Sequence, residues 1–435
     1  MSQALLELAH RHKAGEHVGI AAVCSAHPLV LRAAIAQAAQ TGTDVLIEAT
    51  SNQVDQFGGY TGMRPADFRD LVLDIAAQEG LPAERIILGG DHLGPNRWQK
   101  EPADQAMAKA LDLVAAYVEA GYEKIHLDAS MPLQGDTLPL ADQVVAERAA
   151  RMLAVAEQTA RRVGREQLPV YVIGTEVPVP GGAHEELGVL TATAPEAARA
   201  TIAAHRKAFA DHGVLDAWDR IIALVVQPAV EFDHLRVIHY EREKTAQLRH
   251  ILDDEPTMLF EAHSTDYQLP ENLKDLVADH WFVIKVGPGL TFNLREGLFA
   301  LSHIEDELIP AEKRSNLRDV IEKQMLADPG RWESYYEGDA DTQRIARRYS
   351  YSDRLRYYLP DPVIAAAQEK LLDNLSEVEI PLPLISQYLP AQYDRVMRGE
   401  LANDPRALAM DRVKDALRPY AYACHPQLQK GSNDA

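Results

Sequence analysis

Short apolar runs rich in β-branched residues recur along the chain, and seven of them stop at a polar group capable of chemistry. The run ends are Glu48, Asp91 with His92, Asp128, Glu176, Gln227, His263 and Lys285. A longer stretch with helical periodicity separates most runs from the next. Buried parallel strands that deliver reactive groups at their carboxyl ends are typical of β/α barrels. The pattern therefore predicts a fold and places its active site at one rim.

Strand and helix signals alternate through the first 305 residues in eight strand–helix units. Such alternation implies parallel strands joined by helical crossovers. We predict an α/β protein, with a (β/α)8 TIM barrel over residues 1–305; an open doubly wound sheet is the alternative, because periodicity does not prove closure. The sixth helix is predicted near residues 239–252 and the eighth from about Leu294. Residues 306–435 are rich in charge, tyrosine and proline-bounded helical stretches, which predicts a helical C-terminal extension packed on the barrel.

The overall charge narrows the functions open to the chain. Its formal net charge is −21, which disfavours binding to nucleic acid or to anionic membrane surfaces.

The two cysteines, Cys24 and Cys424, lie far apart, which argues against a disulfide framework or a cysteine zinc site. No apolar run approaches the ~18 residues of a membrane span, and the N-terminal segment lacks the apolar core of a signal peptide. We expect a cytoplasmic protein and leave homo-oligomer formation open.

Asp91 and His92 form the sharpest local feature. A carboxylate beside an imidazole suits metal-assisted proton transfer. His263, at the end of the seventh strand, is the natural partner, because two imidazoles with oxygen ligands are a common set for a divalent metal. Glu176 and Gln227 are the candidate oxygen ligands. The alternative is a structural role, in which these groups only satisfy neighbouring hydrogen-bonding groups.

Other strand-end residues are candidates for substrate binding. His126 precedes Asp128 by two residues and shares its face in an extended strand; we favour Asp128 as the rim group. Lys285, Gly287 and Gly289 indicate an anion site, because glycine amides ahead of a helix can cradle a phosphate. A glycine-rich turn whose lysine pairs with a carboxylate is the alternative.

Residues 347–356 form the only dense basic cluster, with arginines interleaved between tyrosines. In so acidic a chain we expect ion pairing to the barrel or a contribution to a phosphate pocket, rather than nucleic-acid binding. A solvated or subunit-facing helix is equally open. The sequence has no G-x-x-x-x-G-K-[ST] loop, no G-x-S-x-G elbow and no G-x-G-x-x-G fingerprint. These absences argue against a P-loop kinase, a hydrolase of that elbow type and a Rossmann dehydrogenase.

Several segments together resemble the GatZ/KbaZ family, which is described as the second, non-catalytic subunit of class II D-tagatose-1,6-bisphosphate aldolase. The segments SNQVDQFGGYTGM and YSYSDR are the specific ones, whereas Asp-His alone is not. The resemblance covers nearly the whole chain, at residues 21–31, 48–63, 89–96, 126–131, 173–182, 260–268, 284–292 and 349–358. That family in turn resembles the zinc-dependent class II aldolases, which are eight-stranded barrels.

The resemblance implies roles for individual residues. Asp91 matches the catalytic aspartate of class II aldolases, and His92 and His263 match two of their metal ligands. Their third metal histidine falls at Gln227, whose amide oxygen is a weaker ligand. The cofactor implied is a divalent metal, with Zn²⁺ favoured and Mn²⁺ or another ion left open. Asn52, Gln53, Asp128, Lys285, Gly287 and Gly289 are the expected substrate-binding residues.

Two functions follow from the resemblance. The first is an accessory subunit that binds and stabilises a catalytic class II aldolase in galactitol, tagatose or amino-sugar catabolism. The alternative is a metal-dependent 4-epimerase of ketohexose 6-phosphates, acting by retro-aldol cleavage and re-addition with Asp91 as the base. A tagatose-6-phosphate kinase, a label carried by some relatives, is disfavoured by the lack of a nucleotide-binding motif. The expected partners are a ketohexose phosphate and, for the first function, a class II aldolase catalytic subunit.

Overall fold

Eight parallel strands close into a barrel in the computed structural model of the chain, which describes residues 2–175 and 190–426. The described strands of the barrel and of a small hairpin are, in chain order, β1 (Ile20–Cys24), β2 (Val45–Thr50), β3 (Ile86–Leu93), β4 (Lys124–Leu127), β5 (Val170–Ile173), β6 (Ile221–Val225), β7 (Glu231–Phe232), β8 (Val237–Ile238), β9 (Leu259–Ala262) and β10 (Trp281–Val286). β7 and β8 form a separate antiparallel hairpin, and the barrel order is β1-β10-β9-β6-β5-β4-β3-β2. The predicted α/β barrel is therefore confirmed.

Helices cover the outside of the barrel and make up the rest of the described chain beyond β10, apart from turns. They are α1 (Ser2–Lys13), α2 (Pro28–Thr41), α3 (Pro65–Gln78), α4 (Ala103–Glu119), α5 (Asp142–Arg162), α6 (Pro195–Asp211), α7 (Pro270–Ala278), α8 (Pro288–Leu308), α9 (Leu317–Ala327), α10 (Ala340–Tyr349), α11 (Pro362–Ser376), α12 (Leu382–Tyr388), α13 (Pro390–Met397) and α14 (Pro405–Cys424). Of the described helices, none is both long and apolar enough to cross a membrane.

The C-terminal helices pack directly on the barrel shell. α14 lies against α2, α7 and α8, and α11 lies against α8 and α9. The domain boundary expected at residue 305 falls inside α8, so one helix runs from the barrel into the extension. The division into two domains stays a prediction.

The barrel interior is apolar at its amino-terminal end. Ile20, Leu46, Ile87 and Val283 face one another there, and α1 closes this end with Leu5. Since strand side chains alternate between the two faces of the sheet, the same strands also present apolar residues outward to the helices. This dry floor leaves polar chemistry to the carboxyl ends of the strands.

Two expected helices differ from the structure. The stretch predicted as a helix at 239–252 instead forms two short 3-10 turns, Arg242–Thr245 and Leu248–His250. Arg242 and Arg249 both bind the carboxylate of Asp279. Seven residues of α-helix would separate these two arginines by about 10 Å along the axis, so convergence on one carboxylate favours the turns. The eighth helix begins at Pro288, earlier than predicted, because proline is well tolerated in a first helical turn.

Because several histidines are buried in the neutral form, we expect the free energy of unfolding to fall at acidic pH. Burial lowers the pKa of His205 and of His12 to about 4, from 6.5. Between pH 6.5 and 4 the unfolded chain therefore binds more protons than the folded chain, so stability falls as the pH falls through this window. For a fully buried group such as His205, the lowering of the pKa from 6.5 to about 4 corresponds to a loss of about 3 kcal/mol in the free energy of unfolding on acidification.

The variant His205→Phe tests this expectation. It removes one titrating group while filling the same apolar site beside Phe209. Urea unfolding at pH 7 and pH 4.5 should show a smaller acid-induced loss of stability in His205→Phe than in the wild type. The exposed His250→Asn variant is the control and should follow the wild type. Equal pH dependence in all three proteins would contradict the assignment.

Candidate functional site

Along two strands, the inward-facing side chain near the middle of the barrel is charged, and the next one toward the carboxyl end is a histidine. Inward residues in a strand are two apart. On β4 they are Lys124 and His126, followed just past the strand by Asp128; on β9 and beyond they are Glu261 and His263. All five side chains are buried. The barrel thus places a charged layer beneath a histidine layer.

β3 presents two adjacent residues, Asp91 and His92, to the same cavity. In a regular strand neighbours face opposite sides. Here the register with β4 shifts between Gly90 and Leu93, and His92 adopts a left-handed conformation with φ of 48°. Such a backbone costs about 1–3 kcal/mol in a non-glycine residue, and the buried hydrogen bond of His92 to Asp128 offsets part of it. The irregularity is what allows both side chains to reach the site.

Three imidazoles, those of His92, His126 and His263, lie against one another. Their ring centroids are 4.8 to 5.3 Å apart. Each ring also contacts a carboxylate: His92 Nδ1 lies 2.7 Å from Asp128 Oδ2, His126 Nδ1 lies 3.0 Å from Asp91 Oδ1, and His263 Nε2 lies 2.9 Å from Glu261 Oε1. Carboxylates that orient histidines in this way are characteristic of metal and acid–base centres.

The electrostatics keep the carboxylates ionised and His263 neutral. Burial alone would raise the pKa of Asp128, but the hydrogen bond and charge of His92 outweigh it and hold that pKa below its usual range. Burial would likewise raise the pKa of Asp91, yet His92, Lys285 and His126 hold it well below normal. Burial, with Lys285 adding to it, lowers the pKa of His263 to about 3. A neutral imidazole is the form that binds a metal.

The cluster is compatible with a divalent metal. One ligand atom each from Asp91, His126, Glu261 and His263 lies within 4.8 Å of the others, which is near the separation of atoms that share one ion at about 2.0–2.2 Å. His126 Nε2 is buried and has no hydrogen-bond partner among the described residues. Because an orphaned buried nitrogen is costly, a ligand at this point would satisfy it. His92 is not in this four-residue group, although its Nε2 lies only 3.6 Å from Asp91 Oδ2.

Beneath the histidines lies a buried ionic network. Lys124 Nζ lies 2.6 Å from Glu48 Oε1 and 2.7 Å from Glu261 Oε2, and none of the three side chains is exposed. Lys285 Nζ contacts Asp91 and lies 3.1 Å from Glu48 Oε2. Gly89 makes room for Glu48, since a Cβ there would come within 2.8 Å of that side chain. The network ties Asp91 to the centre of the barrel.

Of the two expected oxygen ligands, Gln227 has its side-chain oxygen engaged elsewhere. Gln227 follows β6, but its Oε1 accepts a hydrogen bond from Val230 N at 2.9 Å, and its backbone N–H donates to Thr193 Oγ1. Its side chain therefore caps a loop. Glu176 lies outside the described residues. The roles assigned to both residues stay predictions.

The expected phosphate cradle is filled by the protein's own carboxylate. The backbone amides of Gly287 and Gly289 both donate to Asp266 Oδ1, at 2.9 and 2.7 Å. Burial raises the pKa of Asp266 to about 6 even though these amides oppose the shift. Lys285 points into the ionic network and not toward these amides. Phosphate binding by these residues stays a prediction.

A cavity of about 550 Å³ opens above the cluster. Asp91, His92, His263 and Lys285 form its floor, and Asn52 and Gln53 also line it. The Gln53 side chain is held by the amide of Thr50, 2.9 Å from its Oε1. This volume falls within the range of about 300–1,000 Å³ typical of small-molecule sites.

The sequence reasoning gave no role to Glu261 or Asp266, set His126 aside in favour of Asp128, and placed Arg356 only in a basic cluster that could contribute to a phosphate pocket. Two of them carried a usable signal, because His126 and Glu261 each stand two residues before a group that was identified, Asp128 and His263. Alternation places such pairs on one inward face. No comparable pattern marked Asp266 or Arg356, whose positions depend on loops and on the packing of the extension.

Comparison with known proteins gives a consistent family match. A family model described as D-tagatose-1,6-bisphosphate aldolase subunit GatZ/KbaZ-like matches residues 5–425. A solved structure from Sinorhizobium meliloti 1021, named a probable tagatose 6 phosphate kinase, is 48% identical with a TM-score of 0.86, covering 93% of this chain and 100% of that chain.

Two aldolase structures are more distant. Fructose-bisphosphate aldolase from Campylobacter jejuni is 12% identical with a TM-score of 0.44, covering 85% of this chain and 91% of that chain. The YdjI aldolase from Escherichia coli K12 is 11% identical with a TM-score of 0.39, covering 84% of this chain and 94% of that chain.

Proposed function

Because the chain belongs to the GatZ/KbaZ-like family of D-tagatose-1,6-bisphosphate aldolase subunits, we propose that it binds a ketohexose phosphate and reversibly breaks the C3–C4 bond with its own residues. Re-addition on the opposite face would interconvert fructose 6-phosphate and tagatose 6-phosphate. The observation that carries the proposal is the buried Asp91, in contact with His126 and Lys285 and flanked by two further imidazoles, at the floor of a ligand-sized cavity. A purely structural helper has no need of such a centre.

The histidine cluster would hold a divalent metal. Asp91, His126, Glu261 and His263 would offer the ligand atoms. His92, whose ring packs against those of His126 and His263, would be a further imidazole beside them. Mixed nitrogen and oxygen ligands favour Zn²⁺, with Mn²⁺ as the next candidate. When bound, such an ion acts as a Lewis acid that stabilises negative charge developing on the C2 oxygen of the sugar.

Metal binding through His126 can be measured without any turnover. Chelator-treated protein titrated with Co²⁺ should develop visible absorption that saturates at one equivalent. We expect His126→Ala to weaken binding by more than about tenfold, because even supporting residues of metal sites contribute that much. The buried but remote His205→Phe variant should match the wild type. Equal Co²⁺ affinity in His126→Ala and the wild type would remove His126 from the ligand set.

Asp91 is suited to move the proton that the reaction requires. Its ionised carboxylate would accept the proton of the C4 hydroxyl while C4 becomes an aldehyde carbonyl. The electron pair of the C3–C4 bond passes to C3 and the C2 carbonyl, giving an enediolate. After the aldehyde fragment turns over, C3 attacks its other face and Asp91 returns the proton to O4. No atom is gained or lost, so no co-substrate is needed.

A second candidate function is favoured by the family description, which names an aldolase subunit. In this case the chain would bind and stabilise a separate catalytic class II aldolase in galactitol, tagatose or amino-sugar catabolism. The two functions are compatible, since a subunit can keep a site of its own. Neither requires nucleotide, and the lack of a phosphate-binding P-loop leads us not to propose the kinase activity named for the Sinorhizobium protein.

The decisive experiment uses the purified chain without a partner. Fructose 6-phosphate with Zn²⁺ or Mn²⁺ should yield tagatose 6-phosphate, with no ATP present. The exposed Asp341→Asn variant should be fully active and serves as the surface control. No product with any divalent metal, combined with co-purification of an aldolase chain, would overturn the epimerase and favour the accessory role.

A further inference from the structure

Three arginines converge on Tyr357, which lines the cavity. The guanidinium carbons of Arg356, Arg354 and Arg331 lie 4.4, 4.9 and 5.8 Å from the ring centre of Tyr357. Arg356 Nη2 also donates to the Tyr357 hydroxyl at 2.9 Å. Arg356 and Tyr357 come from the C-terminal extension and line the same cavity as Asp91 and His263.

Among the described residues, no carboxylate lies within ion-pair distance of these arginines, and Asp353 and Asp266 act on the charge of Arg356 only from farther away. Arg356 Nη1 is anchored by the carbonyl oxygens of Ser352 and Asp353, and Arg354 Nε by that of Arg331. Most other arginines in this acidic chain do pair with a carboxylate, among them Arg406 and Arg32 at the same cavity. Carbonyl groups and aromatic rings hold a guanidinium in place without cancelling its charge.

The tyrosine responds to this concentration of charge. Burial alone would raise the pKa of Tyr357, but Arg356, Arg354 and Arg331 lower it below its usual value. A site that stabilises a phenolate oxygen also stabilises other anionic oxygens, because both respond to the same positive potential.

The other anion cradle on this rim is already taken. Asp266 Oδ1 accepts the amides of both Gly287 and Gly289, and a Cβ at Gly289 would lie 2.9 Å from that oxygen. A phosphate would have to displace this buried carboxylate to use those amides. The free positive charge in the cavity lies instead at Arg356.

We propose that Arg356 and the Tyr357 hydroxyl bind the phosphate group of the ligand where they line the cavity. A guanidinium suits this role because it can donate two parallel hydrogen bonds to phosphate oxygens. Arg354 and Arg331 act behind them by raising the local positive potential. The choice of a sugar phosphate as the ligand rests on the proposed function. Recognition of an anionic phosphate ester by these residues does not depend on turnover.

Calorimetric binding to the full-length, metal-free chain tests the subsite, with inorganic phosphate and fructose 6-phosphate as probes. We expect Arg356→Gln to weaken both by about 10- to 100-fold, the value of one or two charge-assisted hydrogen bonds. Arg356→Lys should give an intermediate loss of affinity, because lysine keeps the positive charge but lacks the two parallel N–H donors. Arg348→Gln is the matched control: Arg348 pairs with Glu322 and does not line the cavity.

The outcomes separate this inference from the proposed function. Phosphate binding that depends on Arg356, without any epimerisation, would support the subsite and count against the epimerase. Wild-type affinity in Arg356→Gln, or in Arg356→Lys if the glutamine variant does not fold, would overturn the subsite even if epimerisation occurs. So would failure of the wild type to bind either phosphate probe.

Discussion

Replacing Lys124 with methionine is expected to destabilise the folded chain by about 3–5 kcal/mol, the usual result of breaking a buried ion pair from one side. Lys124 lies between Glu48 and Glu261, at 2.6 and 2.7 Å, with all three side chains fully buried. Burial alone would lower the pKa of Lys124, but Glu261 and Glu48 raise it, so the ammonium is charged. Methionine fills similar space but leaves two carboxylates without this partner.

A surface ion pair provides the matched control. Lys109 lies 2.6 Å from Glu101, with about a third of each side chain exposed. Pairs of this kind contribute about 0–1 kcal/mol, so Lys109→Met should unfold almost as the wild type does. Urea unfolding of both variants measures the difference. A Lys124→Met midpoint no lower than that of Lys109→Met would show that the network does not hold the barrel centre.

Asp91→Asn should reduce the rate of C4 inversion by about 10²–10⁴-fold, the range for loss of a general base. The amide cannot accept the hydroxyl proton, and it also loses the charge that pairs with Lys285 and meets His126. The initial rate with fructose 6-phosphate measures the effect, and circular dichroism checks the fold. Asp341→Asn, whose carboxylate is largely exposed, is the control. More than a tenth of wild-type activity in Asp91→Asn would assign the proton transfer to another group.

The apolar runs and their polar ends were enough to predict the barrel. Each run is a strand of a parallel sheet that is buried on both faces, so its residues are apolar almost throughout. The apolar runs in the sequence therefore correspond to the strands in the structure. The prediction of a helix at 239–252 was wrong because Arg242 and Arg249 both pair with Asp279. These contacts join parts of the chain that are distant in sequence. Helical periodicity in a sequence cannot register such a competing attraction.

The site was predicted less completely than the fold. Asp91, His92, His263 and Asp128 do come together, because strand ends of one barrel meet at one rim. The sequence offered Gln227 as a candidate further ligand, and that role stays a prediction. In the structure Gln227 Oε1 accepts a hydrogen bond from Val230 N, and His126, deeper on β4, is one of four residues that could hold an ion. Strand position alone does not tell how far a residue stands above the barrel floor.

Contacts that depend on the extension could not be predicted. Arg356 was seen only as part of a basic cluster, with a phosphate pocket as one possibility among several. Its place in the cavity depends on the packing of the extension, about 70 positions beyond Lys285, the last of the seven run ends. Such a long-range arrangement has no local signature in the sequence. Likewise, nothing in the sequence marked Asp266 as the group that would fill the glycine amides.

We propose that this chain alone inverts C4 by breaking and remaking C3–C4. Nuclear magnetic resonance tests this with fructose 6-phosphate labelled with ¹³C at C4, incubated with the metal-loaded chain in D₂O. We expect labelled tagatose 6-phosphate that keeps protium at C4, because the C4–H bond is never broken. Deuterium at C4, or no tagatose 6-phosphate with any divalent metal, would contradict it.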